Sequence, residues 1–170
     1  MELIDTYLPD HRITGRVIDR DAPVRVPDGE YVLAVHVLIF NEKGELLIQK
    51  RQETKKMFPG KWDLSAGGFV RSGEASLAAV LRETKEELGL SLAEGEVRYR
   101  MTISEACLLD DFYFAYPKDL ELPQLRLQEE EVSAVRWVSE SELLRMVDTG
   151  EMLDYNRDLM VFCMRLAGRS

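Results

Sequence analysis

The chain has 170 residues, a formal net charge of −9 and a charged fraction of 31%. This length predicts a single domain, residues 1–170, with enough apolar residues for a core that needs neither disulfides nor a structural metal. The negative charge argues against nucleic-acid polymers as partners, because their phosphates are bound by broad basic surfaces. A phosphorylated ligand would therefore need a metal ion or a local basic patch.

Residues 1–30 contain short apolar runs broken by prolines and glycines, Pro23 among them, which predicts a hairpin-like β extension. The first residues are acidic and lack an apolar core, so we predict no signal peptide. The longest apolar run, 32–40, is too short to span a bilayer, so we predict no membrane contact and a cytoplasmic location.

A nearly continuous apolar run covers 31–40, a polar turn follows at 41–44, and a second apolar run covers 45–51. Two apolar strands around a short turn predict a β-hairpin. A histidine on such a strand, His36, is predicted to be a satisfied core residue, and His11 a surface residue. Trp62, which follows a Pro-Gly pair, is predicted to anchor a turn.

Residues 73–89 are predicted to form a helix with an inward stripe of Leu77, Leu81, Thr84 and Leu88. Ser72 or Gly73 would cap its start, and Gly89 would end it. Further strands are predicted at 96–103, 110–116 and 132–138, and further helices at 139–148 and 154–167. Interleaved strands and helices predict a mixed α/β sandwich. Both cysteines, Cys107 and Cys163, lie in apolar runs and are predicted to be buried free thiols.

Three glutamates share one side of the predicted helix. At 100° per residue, Glu83, Glu86 and Glu87 fall within a sector of about 100°, opposite the apolar stripe. Clustered carboxylates raise each other's pKa unless a cation neutralises them, and Mg²⁺ prefers such oxygen ligands. We predict a magnesium site, with Mn²⁺ as a substitute; the alternative interpretation is a solvated acidic face.

Arg82 directly precedes these acids, where a guanidinium can hold a glutamate through a bidentate contact. The glycines before the helix, Gly67 and Gly68, allow backbone groups to approach a metal or a phosphate closely. The residue pattern therefore places an arginine, backbone groups and carboxylates around one predicted site.

The stretch 68–90 matches the Nudix box, G-x5-E-x7-R-E-U-x-E-E-x-G-U with U apolar, at every charged and glycine position. The single departure is Thr84 at an apolar position. The surrounding strand order and the pattern Glu131-Val132…Trp137 extend the likeness over about residues 31–145. The chain thus resembles the Nudix family. The fixed residues of the box are Gly68, Glu74, Arg82, Glu83, Glu86, Glu87 and Gly89.

The resemblance implies a Nudix α/β/α sandwich with a mixed central sheet, and hydrolysis of a phosphoanhydride bond in a small diphosphate metabolite. Glu83 and Glu87 are then the principal metal ligands, Glu86 shares the metal cluster, and Arg82 orients a glutamate. The backbone of Gly67 or Gly68 is implied as a carbonyl ligand. In many Nudix hydrolases a glutamate from a downstream loop assists as a base or extra ligand. From the acids at 129–131 we choose Glu130 for this role. Asp110 and Asp111 are minor candidates for lining the pocket.

The segment 51–74 is also similar to Nudix-fold isopentenyl-diphosphate isomerases, in which basic residues contact a diphosphate. This implies Arg51 and Lys55 as substrate ligands, with Lys56 in reserve; a solvated basic loop is the alternative. In the isomerases a cysteine and a histidine flank the glycine before the box, where this chain has Gly67 and Phe69. We therefore expect a hydrolase. The two rival functions are an isomerase and a non-catalytic module that senses a nucleotide. The sequence leaves open whether the protein forms a homodimer.

Overall fold

The computed structural model describes residues 2–22 and 25–168, so Pro23 of the predicted extension lies outside the described residues. The strands are β1 (Leu3–Tyr7), β2 (Ile13–Asp19), β3 (Tyr31–Ile39), β4 (Leu46–Arg51), β5 (Trp62–Asp63), β6 (Ala66–Phe69), β7 (Val97–Glu105), β8 (Leu108–Ala115) and β9 (Val132–Val138). The helices are α1 (Ser76–Leu88), α2 (Glu140–Asp148) and α3 (Arg157–Ala167). None of the helices in the described part of the chain is long and apolar enough to cross a membrane.

Two sheets form the middle layer. The first has the order β2-β1-β3-β8-β7, with β6 also paired to β3, and the second has the order β5-β4-β9. β3 and β8 are parallel, whereas β3 pairs with β1 and β6 in the antiparallel sense. The predicted mixed α/β architecture is confirmed.

β3 is buried on both faces. Val35, Val37 and Ile39 belong to a core shared with α1, whereas Leu38 and the adjoining Phe40 belong to a second core shared with α2 and α3. A strand covered on both sides is apolar almost throughout, which explains the run at 31–40. The two cores place helices on both sides of the sheets, as predicted.

β3 and β4 do not form the predicted hairpin. Within the described residues they share a single isolated bridge, Phe40–Leu46, after which each strand enters its own sheet. The turn between them forms as predicted, with the Gly44 amide donating to the Asn41 carbonyl at 2.9 Å. Each strand lies inside its own sheet, with β8 and β6 beside β3 and with β9 and β5 beside β4. The apolar runs therefore reflect burial rather than mutual pairing.

The N-terminal β extension is present as an antiparallel hairpin of β1 and β2, and β1 also pairs with β3. The buried Asp5 carboxylate accepts hydrogen bonds from the Ser72 hydroxyl at 2.9 Å and the Gly73 amide at 2.8 Å. His11, in the hairpin loop and exposed as predicted, lies 3.0 Å from an oxygen of Asp111 on β8. The hairpin is therefore fixed to the segment that precedes α1.

Helix α1 begins at Ser76 rather than at 73. Gly73 has a φ of 77°, and the Ser72 hydroxyl donates to Asp5 instead of capping the helix. The C-terminal end is as predicted, with Gly89 in the left-handed region at φ 65°. Helix α3 likewise begins later than predicted, at Arg157, because the side chain of Asn156 caps it.

The cysteines differ in burial. Both are free, but only Cys163 is buried, and the prediction is wrong for Cys107, which is exposed. The apolar run around Cys107 is interrupted by the tight turn between β7 and β8, where Ala106 has a φ of 49°.

Trp62 packs against the core beneath α2 and α3, with the guanidinium of Arg136 4.7 Å from its ring centroid. The tryptophan thus has a structural position, as predicted.

Candidate active site

A polar cavity of about 250 Å³ lies between α1, β6 and the loops after β4 and before β9. All three glutamates of α1 line it, together with two of the cations predicted to bind substrate. Acidic and basic groups therefore face the same space. The lining residues are Glu2, Arg20, Arg51, Lys55, Gly67, Gly68, Arg71, Glu83, Glu86, Glu87, Gln128 and Glu131.

Glu87 is the buried carboxylate of the cavity, with 8% of its surface exposed. Its Oε2 accepts hydrogen bonds from Gln49 Nε2 at 3.0 Å and from the Gly67 amide at 3.1 Å. Burial, and to a smaller extent the charge of Glu83, raises the pKa of Glu87 to about 8. The alternative interpretation, a solvated acidic face, does not hold for Glu87, because Gln49 on β4 and Gly67 on β6 cover this side of α1.

Glu83 lies against the backbone of Gly68. A Cβ at position 68 would stand 2.3 Å from Glu83 Oε1, so only glycine fits without a shift of the carboxylate. Burial raises the pKa of Glu83, although Arg82 Nη1 donates to Oε1 at 2.6 Å and opposes the rise. The absence of a side chain at Gly68 therefore allows the backbone of β6 to lie directly against the Glu83 carboxylate.

Arg82 connects the acids of α1 to the segment before the helix. Its Nε and Nη2 donate to the two oxygens of Glu74, both at 2.8 Å, and Nη2 also donates to the Phe69 carbonyl at 3.1 Å. Its Nη1 donates to Glu83 at 2.6 Å and to the exposed Glu86 at 3.2 Å. A single guanidinium thus fixes two of the three acids in position.

Thr84, the departure from the box, is fully buried in α1. Its hydroxyl donates to the Val80 carbonyl at 2.8 Å, one turn earlier in the same helix. The hydrogen bond satisfies the polar group inside the core. Threonine can therefore replace an apolar residue here without leaving an unpaired donor.

The carboxylates of the cavity fit a magnesium ion that keeps most of its water. Among residues 2–22 and 25–168, no three His, Cys, Asp or Glu side chains are grouped closely enough to hold a metal ion as they stand. Magnesium, however, is commonly held by one or two carboxylates, with waters and substrate phosphates completing its octahedron. Glu83 and Glu87 offer such a pair, and burial raises the pKa of both. A bound cation would compensate their buried charge.

Two of the three predicted substrate cations line the cavity. Arg51 Nη1 donates to Asp63 Oδ2 at 3.2 Å, and Lys55 donates to Glu131. Lys56 is exposed and is not among the lining residues. The structure therefore brings Arg51 and Lys55 to the acids of α1 and leaves Lys56 outside.

The downstream glutamate that lines the cavity is Glu131, not Glu130. Residues 128–131 form a turn in which the Glu131 amide donates to the Gln128 carbonyl at 2.9 Å. Glu130 belongs to the same turn and is exposed, so the structure does not bring the predicted Glu130 to the cavity. The Gln128 amide donates to the Glu87 carbonyl at 3.0 Å, which fixes the turn to the end of α1.

A second cavity, of about 660 Å³, lies on the opposite side of β3 beside α3, and His36, Asp110 and Tyr155 help to line it. His36 Nε2 lies 3.3 Å from Asp110 Oδ1, so the histidine is paired, as expected for a core residue. Asp111 is buried and accepts from Ser76. Neither aspartate is among the residues that line the cavity beside α1, so the structure does not bring Asp110 or Asp111 to the other candidate residues.

Several site residues were not recognised in the sequence. Gln49 gives a signal in retrospect, since it is a polar residue at an inward position of the apolar strand β4. Glu2, Arg20 and Arg71 lie outside the box helix and carry no pattern of their own. Glu2 and Arg20 approach the cavity because the hairpin docks on β3, whereas Arg71 lies in the segment between β6 and α1.

Comparison with known proteins gives consistent matches. A family model described as the NUDIX domain matches residues 30–157. An uncharacterized Nudix hydrolase of Listeria innocua is 45% identical over 131 residues, 77% of each chain. An isopentenyl-diphosphate Delta-isomerase of Streptomyces coelicolor is 40% identical over 121 residues, 69% of this chain and 61% of that protein. The crystal structure of DR0079 from Deinococcus radiodurans has a TM-score of 0.79 at 25% identity, covering 95% of this chain and 99% of that one.

Proposed function

The chain belongs to the Nudix family, and on that premise we propose that it is a magnesium-dependent pyrophosphohydrolase acting on a small diphosphate metabolite. A nucleoside diphosphate linked to another moiety is the substrate type we expect. The observation that carries the proposal is the single cavity that Glu83 and Glu87 share with Arg51 and Lys55. Such a cavity can hold a cation and a diphosphate side by side.

The residues of the cavity have separate tasks in this proposal. Arg51 and Lys55 donate hydrogen bonds to diphosphate oxygens and orient them. Glu83 and Glu87, with the backbone of Gly68, would hold the ion. Bound there, a divalent cation offsets charge on the phosphate oxygens and acidifies an attacking water. Arg82 keeps the acids of α1 aligned through the contacts described above.

We assign proton acceptance from the attacking water to Glu131 rather than to Glu130. Glu131 lines the cavity, and its contact with Lys55 fixes its position there. The exposed Glu86 contributes a further negative charge beside the ion. A cytoplasmic location and a homodimer stay predictions.

A substrate panel tests this function. Nucleoside diphosphate sugars, nucleoside triphosphates, coenzymes and prenyl diphosphates are incubated with the protein and Mg²⁺, and phosphate is measured with and without added phosphatase. For nucleoside diphosphate sugars, which carry no terminal phosphate, phosphate that appears only after phosphatase treatment indicates a monophosphate product, as expected. If no compound yields phosphate above the same reaction without the protein, hydrolysis is not the function.

Arg51→Ala is expected to raise KM about tenfold and to change kcat little. The reason is that its proposed ligand, a diphosphate, carries its charge in the ground state and the transition state alike. Lys55→Ala should also raise KM, with some loss of kcat because Glu131 loses its partner. Lys56→Ala, in the same loop but outside the cavity, is the matched control. Steady-state kinetics on the best substrate measure all three, and an unchanged KM in Arg51→Ala and Lys55→Ala would reduce the loop to a solvated surface.

The protein is expected not to isomerise isopentenyl diphosphate, although a relative carries that name. Isomerisation needs a positioned acid and base, and Gly67 and Phe69 stand where the isomerases have cysteine and histidine. The backbone also excludes a side chain at 67, because a Cβ there would lie 2.7 Å from the Val35 carbonyl oxygen. Incubation with isopentenyl diphosphate and magnesium in deuterated water measures this directly. Deuterium-labelled dimethylallyl diphosphate at enzymatic rates would overturn the hydrolase assignment.

A further inference from the structure

The hairpin of β1 and β2 contributes to the catalytic cavity although it precedes the residues matched by the family model, 30–157. Glu2, beside β1, and Arg20, just after β2, both line the cavity. Arg71, from the segment between β6 and α1, lines it next to them. These three residues, Glu2, Arg20 and Arg71, form the hairpin cluster. None of them takes part in the reaction proposed above.

The hairpin cluster is organised around one carboxylate. Arg20 Nη1 donates to Glu2 Oε2 at 2.6 Å, and Arg71 Nε donates to Glu2 Oε1 at 3.1 Å. The guanidinium of Arg20 also lies 4.9 Å from the ring centroid of Phe69. Each guanidinium has five N–H groups, and its contact with Glu2 uses one of them. Glu2 thus fixes two cations side by side while donors remain for a ligand.

Attachment of the hairpin does not require these ion pairs. The buried Asp5 already joins β1 to the segment before α1 through Ser72 and Gly73. Exposed ion pairs add little stability, and the side chains of Arg20 and Arg71 are 43% and 45% exposed. A purely structural role therefore explains the hairpin cluster poorly.

The basic residues of the cavity form two pairs: Arg51 and Lys55, and Arg20 and Arg71. The two pairs have different acidic partners. Lys55 contacts Glu131, whose turn is bonded to the end of α1, whereas Arg71 contacts Glu86 at 3.5 Å on the outer side of that helix. The acids of α1 line the cavity together with both basic pairs. A diphosphate oriented by Arg51 and Lys55 leaves the hairpin cluster available for a further anionic group of the same ligand.

We propose that Arg20 and Arg71 form a second anion subsite, which binds a third phosphoryl group of a linear polyphosphate. The inference rests on the proposed function and narrows the moiety linked to the diphosphate to one that begins with a further phosphoryl group. Guanidinium groups suit this task, because they donate two parallel hydrogen bonds to phosphate oxygens.

The test measures binding without turnover. Wild-type protein, Arg20→Ala and Arg71→Ala are titrated calorimetrically with inorganic tripolyphosphate and with inorganic diphosphate in EDTA. Arg16→Ala is the matched control, since Arg16 lies on β2 of the same hairpin, pairs with Glu30 and does not line the cavity. Each substitution in the hairpin cluster is expected to weaken tripolyphosphate binding about tenfold and diphosphate binding less than about twofold. Arg20→Lys should restore part of the loss, and Arg16→Ala should change neither affinity.

Three results would overturn the subsite. The first is an equal loss of affinity for both ligands in Arg20→Ala and Arg71→Ala, and the second is no loss of affinity for either ligand. The third is no binding of tripolyphosphate by the wild-type protein. Unfolding temperatures of all variants separate loss of a contact from loss of the fold. Because no metal or hydrolysis is involved, the outcome is independent of whether the protein hydrolyses the substrate panel with magnesium.

Discussion

Glu87→Gln is expected to lower kcat by about a thousandfold or more on the best substrate while the protein stays folded. The amide has the shape of the carboxylate but lacks its charge, so a proposed metal ligand is lost. Its oxygen can still accept the hydrogen bonds from Gln49 and Gly67 that Glu87 accepts. Burial already raises the pKa of Glu87 to about 8, so the neutral amide resembles the protonated form of the metal-free protein.

Steady-state kinetics and far-UV circular dichroism check this expectation together. Glu140→Gln, which removes an acid in the first turn of α2 and away from the cavity, should keep wild-type kcat. Wild-type turnover in Glu87→Gln would remove this carboxylate from the mechanism. An absence of turnover in the parent protein itself would favour the alternative of a non-catalytic module.

Metal-free protein is expected to lose stability as the pH rises from about 5 to 8, and Glu87→Gln is expected to lose less. The folded state holds the proton of Glu87 up to a pKa of about 8, whereas the unfolded chain releases it near the ordinary value of 4.5. A carboxyl group with a raised pKa therefore contributes fully to the free energy of unfolding below pH 4.5, and this contribution is lost as the pH rises through 8. The stabilities of the two proteins should diverge by on the order of 4 kcal/mol across this range.

Urea unfolding in EDTA at a series of pH values measures this divergence. The paired His36 acts in the same direction: burial lowers its pKa, but Asp110 and Asp63 together raise it by more. Since both proteins contain His36, their difference isolates Glu87. Magnesium added near the upper end of the range should restabilise the wild type and leave Glu87→Gln unchanged. Parallel pH profiles for the two proteins would show that Glu87 does not titrate in this window.

The helical spacing of the box was sufficient to predict which acids share a cavity, since Glu83, Glu86 and Glu87 all line it. It could not predict that Glu87 is buried. A helical angle gives the direction of a side chain but not what covers it, and here the cover comes from Gln49 on β4 and Gly67 on β6. The large rise in the pKa of Glu87 is therefore a tertiary effect.

The remaining differences also arise from contacts that are distant in sequence. The apolar runs of β3 and β4 predicted strands correctly, but a run buried on both faces carries no information about its partner strand. Glu130 and Glu131 are adjacent in sequence, and only the turn that begins at Gln128 separates the exposed acid from the one in the cavity. Arg20 approaches the site because β1 pairs with β3, which no local pattern records.

The central claim is that a divalent cation at Glu83 and Glu87 is needed to cleave a phosphoanhydride bond. The most direct test is a titration of EDTA-treated wild-type protein with Mg²⁺ or Mn²⁺, in which kcat/KM is measured on the best substrate of the panel. The account predicts no hydrolysis without metal and full recovery with either ion in the wild type, but no comparable recovery in Glu87→Gln. Undiminished hydrolysis in EDTA would contradict it.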